Sequence, residues 1–139
     1  MTSDDTADIA SVFPRVVERY LDAMMNGDAE AYAALFTDDA VQTGVVEDHT
    51  RIAMSRATIR SMMPVWFEYV TYTDVEHLNV IAEGNTVTIV STWSGTSSTH
   101  ARAASDQTPF SAPVVTVFEI DNGLIARCDI YLEYDQIVN

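Results

Sequence analysis

A chain of 139 residues with 47% hydrophobic and 20% charged residues is sized and composed for one globular domain with one core, not for disorder. Its net charge of −14, with seven basic residues that are all arginine, excludes Schiff-base chemistry on lysine and repels nucleic-acid phosphates and anionic membrane surfaces. The single cysteine, Cys128, leaves no internal disulfide and no thiolate metal cluster.

The opening MTSDDTADIA is acidic and polar, unlike a signal or transit peptide. Residues 1–8 read as a frayed leader, and 9–139 as one domain. No apolar run approaches the roughly 20 residues that span a bilayer, so a cytoplasmic location is expected. Pro14 suits the first turn of a helix. Val16, Val17, Tyr20, Leu21, Met24 and Met25 then form one apolar stripe at helical spacing. Gly27 supplies a left-handed stop, and Asp28 is an N-cap for a second, shorter helix reaching about Thr37. On that helix Tyr32, Leu35 and Phe36 lie to one side.

Residues 40–46 alternate as a strand, with Val41, Thr43 and Val45 on one face and Gln42, Gly44 and Val46 on the other. Glu47-Asp48-His49 opens a polar loop leading to Ser55. That serine caps a third helix carrying Ile59, Met62, Met63 and Trp66, which Pro64 is expected to end or kink. Tyr69–Ala82 and Thr86–Gly95 pair through the turn at Glu83-Gly84-Asn85. Residues 96–109 form an enlarged hairpin loop, long enough to serve as a lid. Phe110–Ile120 and Leu124–Tyr134 are the last two strands. In the latter, Ala126, Cys128, Ile130 and Leu132 face inward; Arg127, Asp129, Tyr131 and Glu133 face solvent or a partner subunit. The order predicts an α+β cone: three N-terminal helices on a strongly curved, mainly antiparallel sheet around an apolar pocket.

The run VVERY ending at Tyr20, the corner Asn26-Gly27-Asp28, Ala34-Leu35-Phe36 and Asp38-Asp39-Ala40 resemble the SnoaL-like (polyketide cyclase) and ketosteroid-isomerase-like branch of the NTF2-like superfamily. Ala57-Thr58-Ile59-Arg60 resembles its third helix, and Asp121–Ile125 its last hairpin. The resemblance implies an enzyme that isomerises or cyclises a hydrophobic oxygenated molecule, polyketide-, steroid- or terpenoid-like, as in secondary metabolism. A non-catalytic binding module is the first alternative, and an epoxide-hydrolase-like or dehydratase-like lyase the second. The acidic positions of these relatives fall on Gly44, Val115 and Ile130, and two tyrosines of the isomerase network fall on Phe36 and Met63. The hydrolases' Arg-x-Asp pair has no counterpart in VTIVSTWSGT.

Tyr20 survives. The resemblance makes it a hydrogen-bond donor to a substrate oxygen; read alone, it is equally an amphipathic tyrosine with a locally satisfied hydroxyl. A base would come from His100 or His49, whose free pKa lies near 6.5, or from Asp48 or bound water. Gln42 and Thr116 are candidate ligand-orienting groups. Gly44, Met62, Met63, Trp66, Trp93, Phe110, Val115, Cys128, Ile130 and Leu132 are candidate pocket walls. Asp48 and His49 are too sparse for a metal site, so no metal or cofactor is expected. The expected partners are a hydrophobic small molecule and a second copy joined through the sheet, with Tyr131 and Tyr134 at the interface.

Overall fold

Helix α1, Arg15–Asn26, buries Val16, Val17, Tyr20, Ala23 and Met24, the inner part of the apolar stripe. Gly27 takes φ 63°, so the chain turns sharply and returns hydrogen bonds to the carbonyls of Ala23 and Met24. The Asp28 carboxylate then accepts from Ala31 N–H at 3.1 Å and opens α2, Ala29–Ala34. This helix stops sooner than the sequence reading, because Phe36 already begins strand β1, Phe36–Val45. The computed structural model describes residues 14–45, 50–98 and 107–132.

The remaining elements are β2 (Arg51–Ser55), α3 (Arg56–Tyr69), β3 (Val70–Glu83), β4 (Thr86–Ser97), β5 (Thr108–Asp121) and β6 (Leu124–Tyr131). They form one six-stranded sheet in the order β2-β1-β6-β5-β4-β3. Only β1 and β6 run parallel among the pairs described; the others are antiparallel. Three helices are present among the described residues, but the third follows β2 rather than preceding the sheet.

Strand β2 was not expected. Its five residues, RIAMS, look like a polar loop because an edge strand buries little of its own surface. Pro64 also fails to stop α3. Pro64 cannot donate to the Arg60 carbonyl, but both residues lie on the exposed side of the helix. Packed residues on both sides, Ile59 and Met63 before it and Trp66 and Phe67 after, hold the helix in place. The Ser55 cap is as read, its hydroxyl accepting from Thr58 N–H at 3.2 Å.

Alternation along β4 turns Val87, Ile89, Ser91 and Trp93 inward; along β5 it turns Phe110, Ala112, Val114, Thr116 and Phe118 inward. In β6 a bulge at Ala126 breaks the expected alternation. Glu119 pairs with Arg127 but the next residue, Ile120, pairs with Ile125, so Ile125 and Cys128 are the buried pair. The register shifts at Tyr72/Asp74 and His77/Asn79 put two further irregularities in β3. The helices cover the inner face, and the core lies between.

Candidate functional site

Tyr20 on α1 and Tyr32 on α2 both project from buried helix faces, so their hydroxyls need partners inside the protein. They find one another: the two hydroxyl oxygens are 3.1 Å apart, and the rings pack at 4.9 Å between centroids. Phe118 meets Tyr20 edge-on at 5.0 Å, and Phe36 packs on Tyr32 at 5.5 Å. Beyond Tyr32 lies Gln42, whose Oε1 is 2.5 Å from the Tyr32 hydroxyl.

Tyr32 has one proton and two acceptors in reach. The shorter contact takes it, leaving the Tyr20 proton for the Tyr32 oxygen. Cys128 Sγ lies 4.0 Å behind Tyr20, a weak donor at the closed end. The result is a directed chain, Cys128 to Tyr20 to Tyr32 to Gln42, built from two helices and two strands. Burial pushes the Tyr20 and Tyr32 hydroxyls well above their ordinary range, and the Cys128 thiol likewise. Every member is therefore neutral near pH 7. No carboxylate, histidine or arginine is among the buried residues described.

Gln42 and Cys128 sit side by side across β1 and β6, and Gln42 faces Met54 across β1 and β2. Gly44 follows on the same face of β1, and a Cβ placed there would meet nothing within 4 Å. Ile130 pairs with Thr116 on the inner side of β5 and β6, and Leu132 is partly buried against the core. Met63, Phe110 and Trp93 are buried. Trp66 donates from Nε1 to the Tyr72 hydroxyl at 2.8 Å, while Tyr72 stands edge-on to Trp93 and Phe110.

Two expected wall residues lie elsewhere. Val115 is on the outer face, because β5 turns Val114 and Thr116 inward. Met62 is 47% exposed, one helical step away from buried Met63. His49 and His100 lie outside the described residues, as do Asp48, Glu133, Tyr134 and positions 99–106 of the hairpin loop. His77 is half-buried with Nδ1 3.3 Å from Ser91 Oγ, and burial holds it below its ordinary pKa against the opposing charge of Asp74.

Tyr32 was not singled out from sequence. The available signal was a second tyrosine, rather than phenylalanine, on a buried helix face one corner away from Tyr20, since a hydroxyl there demands a partner.

Asp129 belongs to the outer face, as the alternation implied. Its carboxylate accepts from Thr43 Oγ1 at 2.6 Å and from Arg127 Nε at 3.0 Å. Arg51 donates to Thr43 Oγ1 and to the Ile130 carbonyl, and its guanidinium lies 4.3 Å from the Tyr131 ring centroid. The cluster clasps β2, β1 and β6 together. Burial raises the Asp129 pKa, but the Thr43 and Arg127 hydrogen bonds and the Arg127 and Arg51 charges outweigh it, leaving the carboxyl below its ordinary value. A lowered folded pKa stabilises the fold above the unfolded value, about 3.9, and the gain is lost as pH falls through the folded value. Melts of wild type and Asp129→Asn from neutral to acid pH should therefore differ most above about pH 4 and converge at the acid end. A difference independent of pH would contradict this assignment.

Residues 17–128 match the SnoaL-like domain, most of the chain. A ketosteroid-isomerase-like fold protein from Catenulispora acidiphila DSM 44928, solved in complex with trimethylamine, superposes with TM-score 0.71 at 19% identity, covering 91% of this chain and 92% of that one. An LEH-like epoxide hydrolase from M. tuberculosis gives 0.66 at 22% identity, covering 89% and 84%. A protein given the name polyketide cyclase from Xanthomonas campestris pv. campestris gives 0.65 at 21%, covering 86% and 89%. At such identities the likeness is one of fold. No curated protein matches the chain. Among the described residues no helix is long and apolar enough to cross a membrane.

Proposed function

Because the chain belongs to the SnoaL-like domain family, we propose that it is a small-molecule enzyme that isomerises or cyclises a neutral, hydrophobic, oxygenated substrate of polyketide, steroid or terpenoid type. The observation that supports this is the buried neutral chain Tyr20–Tyr32–Gln42 in a mostly apolar and aromatic interior. Hydrogen bonds fixed before the ligand arrives stabilise negative charge developing on an oxygen without reorganisation cost. Such chains also polarise along their length, so Tyr20 acts through Tyr32 and Gln42 rather than alone.

A non-catalytic binding module is the second reading. It is favoured by the lack of any buried carboxylate or histidine among the described residues. Deuterium exchange into a bound ketone separates the two: exchange at the carbon beside the carbonyl supports the enzyme, and saturable binding without exchange supports the binder. The hydrolase reading has less support, since the inner face of β4 presents Val87, Ile89, Ser91 and Trp93.

The test of this function is a thermal-shift panel of polycyclic ketones, phenols and lipophilic epoxides on wild type and Tyr20→Phe. A ligand at 100 times its Kd raises stability by about 2.7 kcal/mol. Tyr20→Phe removes a member that reaches the ligand only through Tyr32 and Gln42, so it should weaken an oxygenated ligand by about twofold, a fraction of one hydrogen bond. Equal binding by both proteins would remove Tyr20 from ligand recognition.

We also propose a homodimer through the sheet. The outer face carries Val41, Val90, Val115 and Val117, with Ile81 and Tyr131 exposed. Sedimentation equilibrium should give a dimer for wild type and a shift to monomer for Val115→Arg; a wild-type monomer would contradict this.

A further inference from the structure

Gln42 is 3% exposed and ends the buried chain. Its Oε1 accepts from the Tyr32 hydroxyl at 2.5 Å. The other arm, Nε2, is therefore turned from Tyr32 with two N–H donors. Among the described residues it has no hydrogen-bond acceptor. It is not sealed in either, because Arg56 Nε is the one described side-chain atom that is both sealed and unpaired. An almost buried amide that keeps contact with open space while lacking a partner is poised for a guest.

Space lies on the same face of the same strand. Gly44 is two residues along β1, and a side chain there would meet nothing within 4 Å. Its backbone is not in the left-handed region, so no conformational need calls for glycine. The missing side chain leaves room beside the free amide.

We propose that Gln42 Nε2 is the donor that grips the ligand and that the gap at Gly44 seats the ligand's oxygen-bearing end. This rests on the function proposed above and narrows it. The ligand's head is an uncharged acceptor oxygen: a ketone, ether, epoxide or alcohol. A carboxylate would enter a chain of net charge −14 with no buried cation described, and an alkylammonium would meet N–H donors instead of an acceptor. The short bond accepted by Oε1 draws charge from the amide and strengthens Nε2 as a donor.

The test is an NMR titration of ¹⁵N-labelled full-length protein with cyclohexanone, with trimethylammonium and cyclohexanecarboxylate as controls. Gln42→Met identifies the Gln42 side-chain NH₂ pair by its disappearance. That pair should move downfield and saturate with cyclohexanone, and respond to neither control. Gly44→Val, placed in open space and so expected to fold, should weaken ketone binding at least about tenfold. If the Trp93 indole responds to ketone while the Gln42 NH₂ pair does not, a ligand enters but this subsite is wrong. If Gly44→Val binds as wild type does, the seat is wrong. If cyclohexanone moves neither signal, the subsite and the proposed function fall together.

Discussion

Gly95→Ala is expected to cost the fold about 3 kcal/mol, lowering the melting temperature by about 10 °C. A Cβ at Gly95 would sit 1.9 Å from the Thr71 carbonyl oxygen, 2.9 Å from its carbon and 3.0 Å from Tyr72 Cα. All three atoms are backbone of the neighbouring strand β3, held in register by the ladder from Val70 to Glu83. No side chain can swing aside to relieve the overlap, so β3 must part from β4 next to the Tyr72/Asp74 irregularity. Gly44→Ala is the matched control. Its new methyl group meets nothing, and the lost chain entropy of the unfolded state makes it neutral or slightly stabilising. Urea unfolding of the pair reads the difference directly; equal midpoints would contradict the close approach.

Tyr32→Phe is the second large effect. The ring's packing on Tyr20, Phe36 and Phe67 is retained, so the substitution removes the hydroxyl alone. That hydroxyl is the middle of the chain. Without it Gln42 Oε1 loses its donor and the Tyr20 hydroxyl its acceptor, while both remain buried. Leaving buried polar groups unpaired costs about 1–3 kcal/mol, which should appear as a melting temperature lower by about 5 °C. Oxygenated ligands should weaken as well, because the Gln42 amide loses both its fixed orientation and its polarising neighbour. Unchanged stability by urea unfolding would mean that the hydroxyl is not holding the two groups together.

Much of the fold was legible because its signals are local. The stripe on α1, the Gly27 stop, the Asp28 and Ser55 caps and the Gly84 and Gly123 turns each follow from one residue's own conformational preference. What escaped depends on neighbours far along the chain. The five residues of β2 become a strand only because β1 offers them an edge. The bulge at Ala126 is set by pairing across to β5, and alternation read from Leu124 onward cannot reveal it. Val115 was read from the resemblance, and the alternation of β5, with Val114 and Thr116 inward, turns it outward.

The candidate site shows the same division. Tyr20 was singled out through the family resemblance, and Gln42 from its place on a strand face. Their connection needed Tyr32, and only the angle between α1 and α2 brings that hydroxyl between them. Gly44 was legible as a residue that leaves room on its strand face, at a position where the resemblance implies a carboxylate. That the gap stays open is a property of the folded packing.

The central claim, that a buried chain of neutral hydrogen bonds polarises a ligand oxygen, is tested most directly by difference infrared spectroscopy of bound cyclohexanone. In wild type the carbonyl stretch should fall below its value in hexane, to its value in water or lower, and Tyr32→Phe should return it part of the way. A bound carbonyl that absorbs as it does in hexane, or at the same frequency in both proteins, would contradict the account.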